Sequence, residues 1–402
     1  MFEKLPRTKV FRDPLYGYIE VDYKIISDLI DSKEVQRLRR IRQLSGVAMV
    51  FQTAEHSRFT HSLGAYQMAK MAVEHIEGME TLDEYTKLLF LCAALLHDIG
   101  HGPYSHAFEH VLDLSHEEWS VKIILSDKTD VHHILGDDLA KDVASVIDHD
   151  GKYPLIESLV SSQLDVDRMD YLSRDAYFTG ANYGRIDYHR ILRSMKIING
   201  KLVVRASGVL SIESYLMSRY HMYFQVYYHP VAKAYELILE GIYQRIKDLV
   251  NKGVYVDASI DSFLDVLKNS NDVSSYINLD DAYVNGFIKQ LAKTSDDYVL
   301  KKLSNAFQNR HLFNFVELAN DPTEEFLNEL KEKYNNEYGK YFYKDIAVSN
   351  VAYLHVKKYD VNNINVLLPD GRIKSLDQYS LIVKGLTQSS NKVVERIYYF
   401  ED

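Results

Sequence analysis

The sequence predicts a mainly α-helical fold with short β-hairpins and a small α/β part at its C-terminal end. Apolar residues recur at helical spacing through most of the chain. Strand-like segments and turn dipeptides are confined to the N-terminal end, a stretch around residue 200 and the last sixty residues. The hydrophobic content of 46% and the charged content of 26% are those of an ordinary globular protein. The composition is therefore sufficient for a buried helical core.

The N-terminal elements are predicted to be a hairpin followed by a helix. The segment KVFRDPLYGYIEVD alternates in places and contains Pro14 and Gly17, which is typical of a short β-hairpin. In SKEVQRLRRIRQLS, apolar side chains stand at helical spacing, and Ser32 is a suitable N-cap. We therefore expect a helix from Ser32 to about Ser45.

Helices are predicted for most of the chain that follows. One runs from Ser57 to about Ile76, and a strongly apolar one that includes Leu88–Leu96 ends near Gly100. Further helices are expected in SHEEWSVKIILS, DDLAKDVASVIDH and IESLVSSQLDVDRMDYLSRDAY. A long helical stretch runs from Ser207 to about Val250, and we expect it to break or kink near Pro230.

The remaining segments predict strands and a further group of helices. Asn199-Gly200, between strand formers in KIINGKLVVR, is a two-residue hairpin signal. Residues 257–340 have a helical pattern, whereas DIAVSNVAYLHVKK, INVLLPDGRIKSL and RIYYFED predict strands with a Pro-Asp-Gly turn. No linker separates the parts, so we expect them to pack as one body. Four regions are predicted: the hairpin and helix of residues 1–50, a helical core of 51–180, a helical lobe of 181–340 and a β-rich region of 341–402.

Charge and composition argue against several classes of protein. A formal net charge of −10 and a pI near 5.9 disfavour a general nucleic-acid coat protein. The apolar stretch Leu88–Leu96 has nine residues, whereas a membrane-spanning helix needs about 20. The segment MFEKLPRTKVFRDP lacks the apolar part of a signal peptide, and the single cysteine, Cys92, cannot form an internal disulfide. We therefore expect a cytoplasmic protein.

Chemistry-bearing side chains are concentrated in LLHDIGHGPYSHAFEH, residues 95–110, which holds four of the 16 histidines. An abrupt turn is predicted there by Gly100, Gly102 and Pro103. A lone His97-Asp98 pair would be typical of an exposed helix end. However, His61 lies on the preceding helix, and QLDVDRMDYLSRD, with Glu157 before it, places several carboxylates on or near a later one. Imidazole and carboxylate groups from three helices can hold a divalent cation and leave positions for water and substrate.

This arrangement resembles the H…HD…D motif of the HD-domain metal-dependent phosphohydrolase superfamily. The matching positions are His61, His97, Asp98 and Asp167. The dipeptide alone is weakly specific, but its order and spacing with HDIGHGPYSH and DVDRMDY are strongly specific. The resemblance extends from KVFRDPLYGYIEV through YYHP and narrows to the deoxynucleoside triphosphate triphosphohydrolases. It implies that residues 51–180 form an HD-domain helical core that holds a divalent metal ion. The ion would be one of Mn, Mg, Fe, Ni or Zn.

The resemblance also implies a reaction, in which water attacks the α-phosphorus of a deoxynucleoside triphosphate and releases deoxynucleoside and inorganic triphosphate. The positions that match the active-site histidines are His101, His106 and His116, which titrate near neutral pH and can donate or accept a proton. Glu109 matches an acidic residue that supports His116. The division of general acid and base among the three histidines stays open. No matching role exists for His110, His132 or His133.

Substrate contacts follow from the same resemblance. The positions that match phosphate-binding residues are Arg58, Arg168 and Arg219. An arginine on a helix more often belongs to a solvent-exposed face. Relatives can carry Lys at position 168, which keeps the charge and changes its geometry. The positions that match sugar contacts are Gln43, Tyr171, Asp175 and Tyr227, which would leave little room for a 2′-hydroxyl. Tyr228 stands where a relative carries Gln, so contacts to the base differ there.

A second nucleotide site is implied for the N-terminal region. On composition alone, DSKEVQRLRRIRQL is an amphipathic helix with a cationic outer face. In the resembling enzymes, however, this segment helps to bind an activating guanine nucleotide between subunits of a tetramer. The matching positions are Lys9, Val10, Asp31, Gln36 and Arg39, whereas Arg12 departs from the pattern. We therefore expect a guanine-nucleotide-activated homotetramer.

Two other functions remain as alternatives. One is an HD-type phosphodiesterase or nucleotidase that acts on another nucleotide; the absence of a long GYP-type extension and the presence of Tyr171, Asp175 and Arg219 disfavour it. The other is a non-catalytic nucleotide sensor or nucleic-acid binder that keeps the metal for structure. A full set of predicted ligands and three candidate catalytic histidines disfavour an inactive site.

Overall fold

The computed structural model describes residues 2–105, 107–109, 114–269, 271–320, 322–350, 364–388 and 392–401. The helices are α1 Lys24–Asp31, α2 Lys33–Arg37, α3 Arg58–His75, α4 Glu84–Leu96, α5 His116–Leu125, α6 Asp130–Asp148, α7 Pro154–Val160, α8 Val166–Thr179, α9 Tyr188–Ser194, α10 Val209–Met222, α11 Pro230–Asn251, α12 Asp261–Lys268, α13 Val273–Tyr276, α14 Asp281–Thr294, α15 Tyr298–Asn309, α16 Glu324–Lys333, α17 Gly339–Phe342, α18 Leu376–Tyr379 and α19 Leu381–Gln388. The strands are β1 Lys4–Asp13, β2 Gly17–Tyr23, β3 Met195–Ile198, β4 Lys201–Arg205, β5 Asn314–Glu317, β6 Tyr343–Asn350, β7 Asn365–Leu367, β8 Ile373–Ser375 and β9 Lys392–Tyr399. The predicted mainly helical fold class with short hairpins is confirmed.

The N-terminal hairpin is formed as predicted, but the helix that follows is shorter. Strands β1 and β2 pair antiparallel, with Asp13 opposite Gly17 at the turn. Ser32 caps α2 by accepting a hydrogen bond from a backbone N–H. The helix ends at Arg37 and continues as a 3₁₀ turn through Arg40. The predicted extension to Ser45 is wrong because the following backbone is extended and hydrogen-bonds to the segment before α3.

The helical core is built around α4, whose residues from Leu88 to Leu96 are all buried. Helix α3, most of whose residues are buried, packs against it, as do α6 and α7. Burying apolar surface on every face of α4 stabilises the core by roughly 25 cal/mol per Å² removed from water. No helix in the described part of the chain is long and apolar enough to cross a membrane.

One predicted helix is divided in the structure. The segment IESLVSSQLDVDRMDYLSRDAY forms α7 and α8, and residues 161–165 between them are not helical. The division occurs because Asp165 caps α8 from an extended conformation, accepting a hydrogen bond from the backbone N–H of Arg168. The new start of α8 places Asp167 in its first turn.

The long helical stretch is interrupted before Pro230, as predicted. Helix α10 continues into a π-helical turn at Tyr223–Tyr227, and α11 begins at Pro230. A π-turn is rare and is found most often at functional sites. The predicted hairpin at Asn199-Gly200 joins β3 and β4, and both turn residues have positive φ, as a two-residue hairpin turn requires.

Two sheets join the C-terminal strands to earlier parts of the chain. Strand β4 pairs with β7 in the sheet β3-β4-β7-β8, and β9 lies between β5 and β6 in the other. Strand β5 lies within residues 257–340, which were predicted to be helical, so that part of the prediction is wrong: its backbone groups pair with β9. The predicted strand DIAVSNVAYLHVKK is formed up to Asn350, and its remainder lies outside the described residues. The division into four regions stays a prediction.

Candidate metal and nucleotide site

Three helices bring the four predicted metal ligands to one point. His61 lies in the first turn of α3, His97 and Asp98 follow the end of α4, and Asp167 lies in the first turn of α8. The Nε2 atom of His61 lies 3.1 Å from Oδ1 of Asp167 and 3.3 Å from Nε2 of His97. It lies 3.6 Å from Oδ2 of Asp98. The four side chains therefore present their donor atoms to a common centre.

These spacings fit a divalent cation. Metal–ligand bonds to imidazole nitrogen and carboxylate oxygen of about 2.0–2.2 Å place neighbouring donors roughly 3.0–3.5 Å apart. His61, His97 and Asp98 form a cluster whose ligand atoms all lie within 4.8 Å of one another. A set of two imidazoles and two carboxylates suits Mn²⁺, Fe²⁺, Ni²⁺ or Zn²⁺ better than it suits Mg²⁺, which typically binds all-oxygen sites.

The electrostatics of the metal-free cluster favour protons in the place of a cation. Burial alone would lower the pKa of His61, but hydrogen bonds to Asp167 and Asp170 raise it to about 10. Burial lowers the pKa of His97, but the negative charge of Asp98 raises it, and the net shift is upward. Burial would raise the pKa of Asp167, but hydrogen bonds to the two histidines lower it. A cation that binds here displaces these protons.

The loop after Asp98 holds Arg58 beside the cluster. Arg58 donates to the Asp98 carboxylate and, through Nε and Nη2, to Oγ of Ser105 at 3.0 and 2.8 Å. Tyr104 and Ser105 have φ of 55° and 53°, a left-handed conformation that is strained for residues with side chains and clusters at functional sites. The buried guanidinium of Arg58 is thus fixed by one metal-cluster carboxylate and one strained loop.

A close helix contact brings His116 to the same place. A Cβ atom at Gly100 would lie 2.1 Å from the carbonyl oxygen of His116, so only glycine lets the loop approach the start of α5 this closely. The imidazoles of His101 and His116 stack with centroids 3.8 Å apart. Glu109 lies 2.9 Å from Nδ1 of His116. Of the four predicted catalytic residues, His101, Glu109 and His116 are therefore brought together, whereas the fourth, His106, lies outside the described residues, as does His110.

The two stacked histidines differ in proton affinity. Burial, together with the positive charges of Arg58 and His116, lowers the pKa of His101 to about 4. Burial also opposes the charged form of His116, but its hydrogen bond to Glu109 raises the pKa above the usual value. Environments that separate two pKa values in this way are typical of acid–base pairs.

A cavity of about 680 Å³ opens beside the cluster. Of the predicted substrate contacts, Gln43, Arg58, Tyr171, Asp175 and Tyr227 line it. Pockets of about 300–1,000 Å³ hold ligands of nucleotide size. The other two predicted contacts do not line it. The Arg168 guanidinium is held by Asp165 and the carbonyl of Ser162, and Nη1 of Arg219 donates to Gln163 at 2.8 Å.

Tyr228, expected on the base side of the substrate, also lines the cavity. Several other cavity residues were missed by the sequence reasoning, namely Tyr223, Lys233, Glu236 and Arg396. His56, which is buried, lies 2.8 Å from Oδ1 of Asp175, whose other oxygen accepts from Tyr227 at 2.7 Å. Arg396 comes from β9 and donates to the Tyr228 carbonyl at 2.9 Å. No local pattern marks Arg396, because its partner lies 168 residues earlier in the chain.

The predicted activator residues form two neighbouring pairs. Nζ of Lys9 lies 2.6 Å from Oδ2 of Asp31, and Nε of Arg39 donates to Gln36 at 2.8 Å. Val10 is exposed on the hairpin. Of the histidines without a predicted role, His132 lies 3.1 Å from Asp137 at the surface. The guanine-nucleotide site stays a prediction.

Comparison with known proteins agrees with this geometry. The HD domain family matches residues 58–175, and the family described as the HD associated region matches residues 186–397. The chain belongs to the HD-domain phosphohydrolase family. The HD domain match spans all the predicted metal ligands, and the HD associated region contains Tyr227, Lys233 and Arg396. The family assignment makes this protein a metal-dependent phosphohydrolase.

Relatives of this HD-domain phosphohydrolase are found in bacteria and eukaryotes. It is 39% identical to the uncharacterized protein YwfO of Bacillus subtilis over 99% of this chain and 94% of that protein. It is 29% identical to the deoxynucleoside triphosphate triphosphohydrolase SAMHD1 homolog of Dictyostelium discoideum, over 77% of this chain and 60% of that protein. The fold is also similar to the crystal structure of a phosphohydrolase from Bacteroides thetaiotaomicron, with a TM-score of 0.84. The two sequences are 28% identical, and the alignment covers 98% of this chain and 100% of the Bacteroides chain.

Proposed function

We propose that this HD-domain phosphohydrolase converts deoxynucleoside triphosphates to deoxynucleosides and inorganic triphosphate. The observation that carries the proposal is that one cavity of about 680 Å³ adjoins the metal cluster and is lined by Tyr171, Asp175 and Tyr227. A relative whose name states this activity, the Dictyostelium protein, is 29% identical over 77% of the chain. A phosphate at the cluster and a sugar against the tyrosines would occupy the same cavity, and the Tyr171 ring lies 6.4 Å from the His61 ring.

The metal ligands in this proposal are His61, His97, Asp98 and Asp167. When bound, a divalent ion supplies Lewis acidity, which acidifies water and offsets phosphate charge. Arg58 adds a positive charge at the same place, and its contacts with Asp98 and Ser105 keep the guanidinium oriented before substrate arrives. Arg168 and Arg219, proposed as further phosphate contacts, would have to exchange their present carboxylate, carbonyl or amide partners for phosphate oxygens.

Proton transfer is proposed for the histidines beside the cluster. His116 is hydrogen-bonded to Glu109, which stabilises its protonated form and orients the ring. His101 stacks on it and lies 3.3 Å from Oδ1 of Asp98. A protonated imidazole in this group would donate its proton to the departing 5′-oxygen. His106 belongs to the same proposed group on the basis of its position in the sequence.

Selection of deoxyribose is proposed for the tyrosine side of the cavity. The rings of Tyr171 and Tyr227 meet edge to face with centroids 6.1 Å apart. The Tyr227 hydroxyl donates to Asp175, so the ring and the carboxylate hold each other in place. Such a fixed aromatic wall excludes a 2′-hydroxyl sterically, and Asp175 and Gln43 offer polar atoms for the 3′-hydroxyl.

Activation and assembly form a second part of the proposal. A guanine nucleotide would bind at Lys9, Val10, Asp31, Gln36 and Arg39 in a homotetramer. The support is the Lys9–Asp31 pair at 2.6 Å next to the Gln36–Arg39 pair, which offers a base both donors and acceptors. Light scattering with and without dGTP or GTP measures the assembly. A chain that stays monomeric at every nucleotide concentration contradicts this part alone.

The decisive experiment identifies the products. Purified protein is incubated with each dNTP and each ribonucleoside triphosphate, with Mn²⁺ or Mg²⁺, in the presence and absence of dGTP, and the products are separated by anion exchange. Deoxynucleoside together with tripolyphosphate is the expected result. Pyrophosphate or orthophosphate as the sole inorganic product would assign a different phosphohydrolase reaction. An Asp167→Asn variant serves as the control for contaminating activity.

A further inference from the structure

We infer that the turn of the N-terminal hairpin is part of the support of the metal centre, acting through the buried carboxylate of Asp170. The proposed network consists of Asp13, Tyr16, Gly64, Asp170 and Arg174. Each would be a positioning residue, because each acts on the metal through His61 and not by contact with it. The inference rests on the metal site and is independent of the identity of the substrate.

The first link joins Asp170 to His61. Nδ1 of His61 lies 2.9 Å from Oδ2 of Asp170, and both side chains are fully buried. The other ring nitrogen, Nε2, faces His97 and Asp167. A carboxylate that accepts the Nδ1–H bond fixes the ring orientation and leaves the lone pair of Nε2 for a cation. Asp170 therefore sets the orientation and tautomer of one metal ligand.

The second link joins Asp170 to Arg174, one turn later on α8. Nε and Nη2 of Arg174 donate to the two oxygens of Asp170, each at 2.9 Å, in a two-point ion pair. Neither side chain is exposed to solvent. An unpaired carboxylate at this depth would be strongly destabilised. The arginine therefore maintains the negative charge that His61 needs.

The third link reaches the hairpin turn between β1 and β2. Nη1 of Arg174 donates to Oδ2 of Asp13 at 2.8 Å, and the Tyr16 hydroxyl donates to Oδ1 of Asp170 at 2.7 Å. The other Asp13 oxygen accepts from the backbone N–H groups of Leu15 and Tyr16, at 2.9 and 3.2 Å. Asp13 therefore holds the turn together through these backbone bonds. The turn is joined to α8 by two hydrogen bonds, Arg174 to Asp13 and Tyr16 to Asp170.

An independent observation comes from α3. Gly64 lies one turn after His61, and a Cβ atom there would lie 1.9 Å from Oδ1 of Asp170 and 2.4 Å from Nη2 of Arg174. Alanine is the better helix former, so the glycine is explained by the space that the network occupies. The network is therefore packed against the same helix turn that presents His61.

The test measures the affinity of metal-free protein for Mn²⁺ alone, by isothermal titration calorimetry. Asp170→Asn should weaken binding by about 10- to 100-fold, the effect typical of substitutions at partners of metal ligands. Tyr16→Phe should weaken it by roughly 3- to 10-fold, because Arg174 still holds the carboxylate. Gly64→Ala should weaken it by about tenfold, because the added methyl group displaces Asp170.

Two matched controls separate positioning from general destabilisation. Tyr85→Phe removes another tyrosine hydroxyl that donates to an aspartate, Asp142, away from the cluster. Gly286→Ala adds a methyl group on α14 where nothing lies within 4 Å. Both should leave the affinity for Mn²⁺ within about twofold of the wild type.

The inference is overturned if Tyr16→Phe and Gly64→Ala fold with wild-type circular dichroism and bind Mn²⁺ with unchanged affinity. It is also overturned if the two controls weaken binding as much as these variants do. Should Asp170→Asn fail to fold, the other two variants decide. A wild-type protein that binds Mn²⁺ but hydrolyses no dNTP contradicts the proposed function and leaves this inference standing.

Discussion

The Nε2 atoms of His61 and His97 face each other at 3.3 Å, although the residues are 36 positions apart in the chain. Two unprotonated imidazole nitrogens repel at this distance unless a proton or a cation lies between them. Asp167 and Asp98 supply negative charge on either side. The arrangement is therefore compatible with a bound cation and unfavourable for two neutral, empty histidines.

Removal of the metal should abolish activity and lower stability. Dialysis against a chelator should eliminate hydrolysis, and Mn²⁺ should restore it. Metal at about 100 times its Kd should raise the free energy of unfolding by about 2.7 kcal/mol, because only the folded chain assembles the site. Thermal denaturation measures the shift. Asp167→Asn, whose side chain is partly exposed, should fold normally and show neither the activity nor the shift.

Metal binding should release protons near neutral pH. The pKa of His61 is about 10 in the metal-free protein, so its ring is protonated at pH 7 and must lose a proton to bind a cation. The affinity should therefore rise as the pH increases from 6 to 8, on the order of tenfold per pH unit for each proton released. Calorimetry in buffers of different ionisation enthalpy counts the protons. Release of none at pH 7 would contradict the protonated cluster.

Substitution of the Glu109–His116 pair should lower kcat more than it changes KM. Glu109→Gln keeps the shape of the side chain and removes the charge that raises the pKa of His116. We expect a loss of about 10²-fold or more in kcat, at the low end of general acid–base contributions. Steady-state kinetics with a dNTP provides the measurement. His132→Gln, at the surface pair with Asp137, should retain wild-type kinetics.

Shortening Tyr171 should relax the preference for deoxyribose. In Tyr171→Ala, the ratio of kcat/KM for dATP to that for ATP should fall by about tenfold, which is the scale of discrimination by steric packing. Tyr177→Ala is the matched control, since that ring lies on the same helix and is 57% exposed. Equal ratios for the wild type and Tyr171→Ala would place the sugar elsewhere.

Shortening a buried side chain of α4 should destabilise the whole fold. Leu95 is fully buried two residues before His97, and Leu95→Ala should cost about 2–5 kcal/mol through lost burial and the cavity left behind. Urea denaturation measures the loss. Leu125→Ala, at a residue that is 43% exposed, should change the free energy of unfolding by less than about 1 kcal/mol.

Local patterns were sufficient for many of the elements. Helical spacing predicted α3 and α5, and Asn199-Gly200 predicted the β3–β4 hairpin. The pattern failed where distant segments compete for the same backbone groups. The helix from Ser32 stops early because residues after Arg40 pair with the segment before α3, and β5 is a strand because β9 lies beside it.

The sequence by itself determined the mainly helical fold, the order of most elements and the residue types from which a metal site could be built. Tertiary structure alone decided which of these side chains meet. It brought His61 and Tyr16 to the carboxylate of Asp170, placed Arg396 against the carbonyl of Tyr228, and paired Arg219 with Gln163. The physical reason is that helix periodicity is a local property of the chain, whereas the partner of a buried charge is fixed by the packing of helices from distant parts of the sequence.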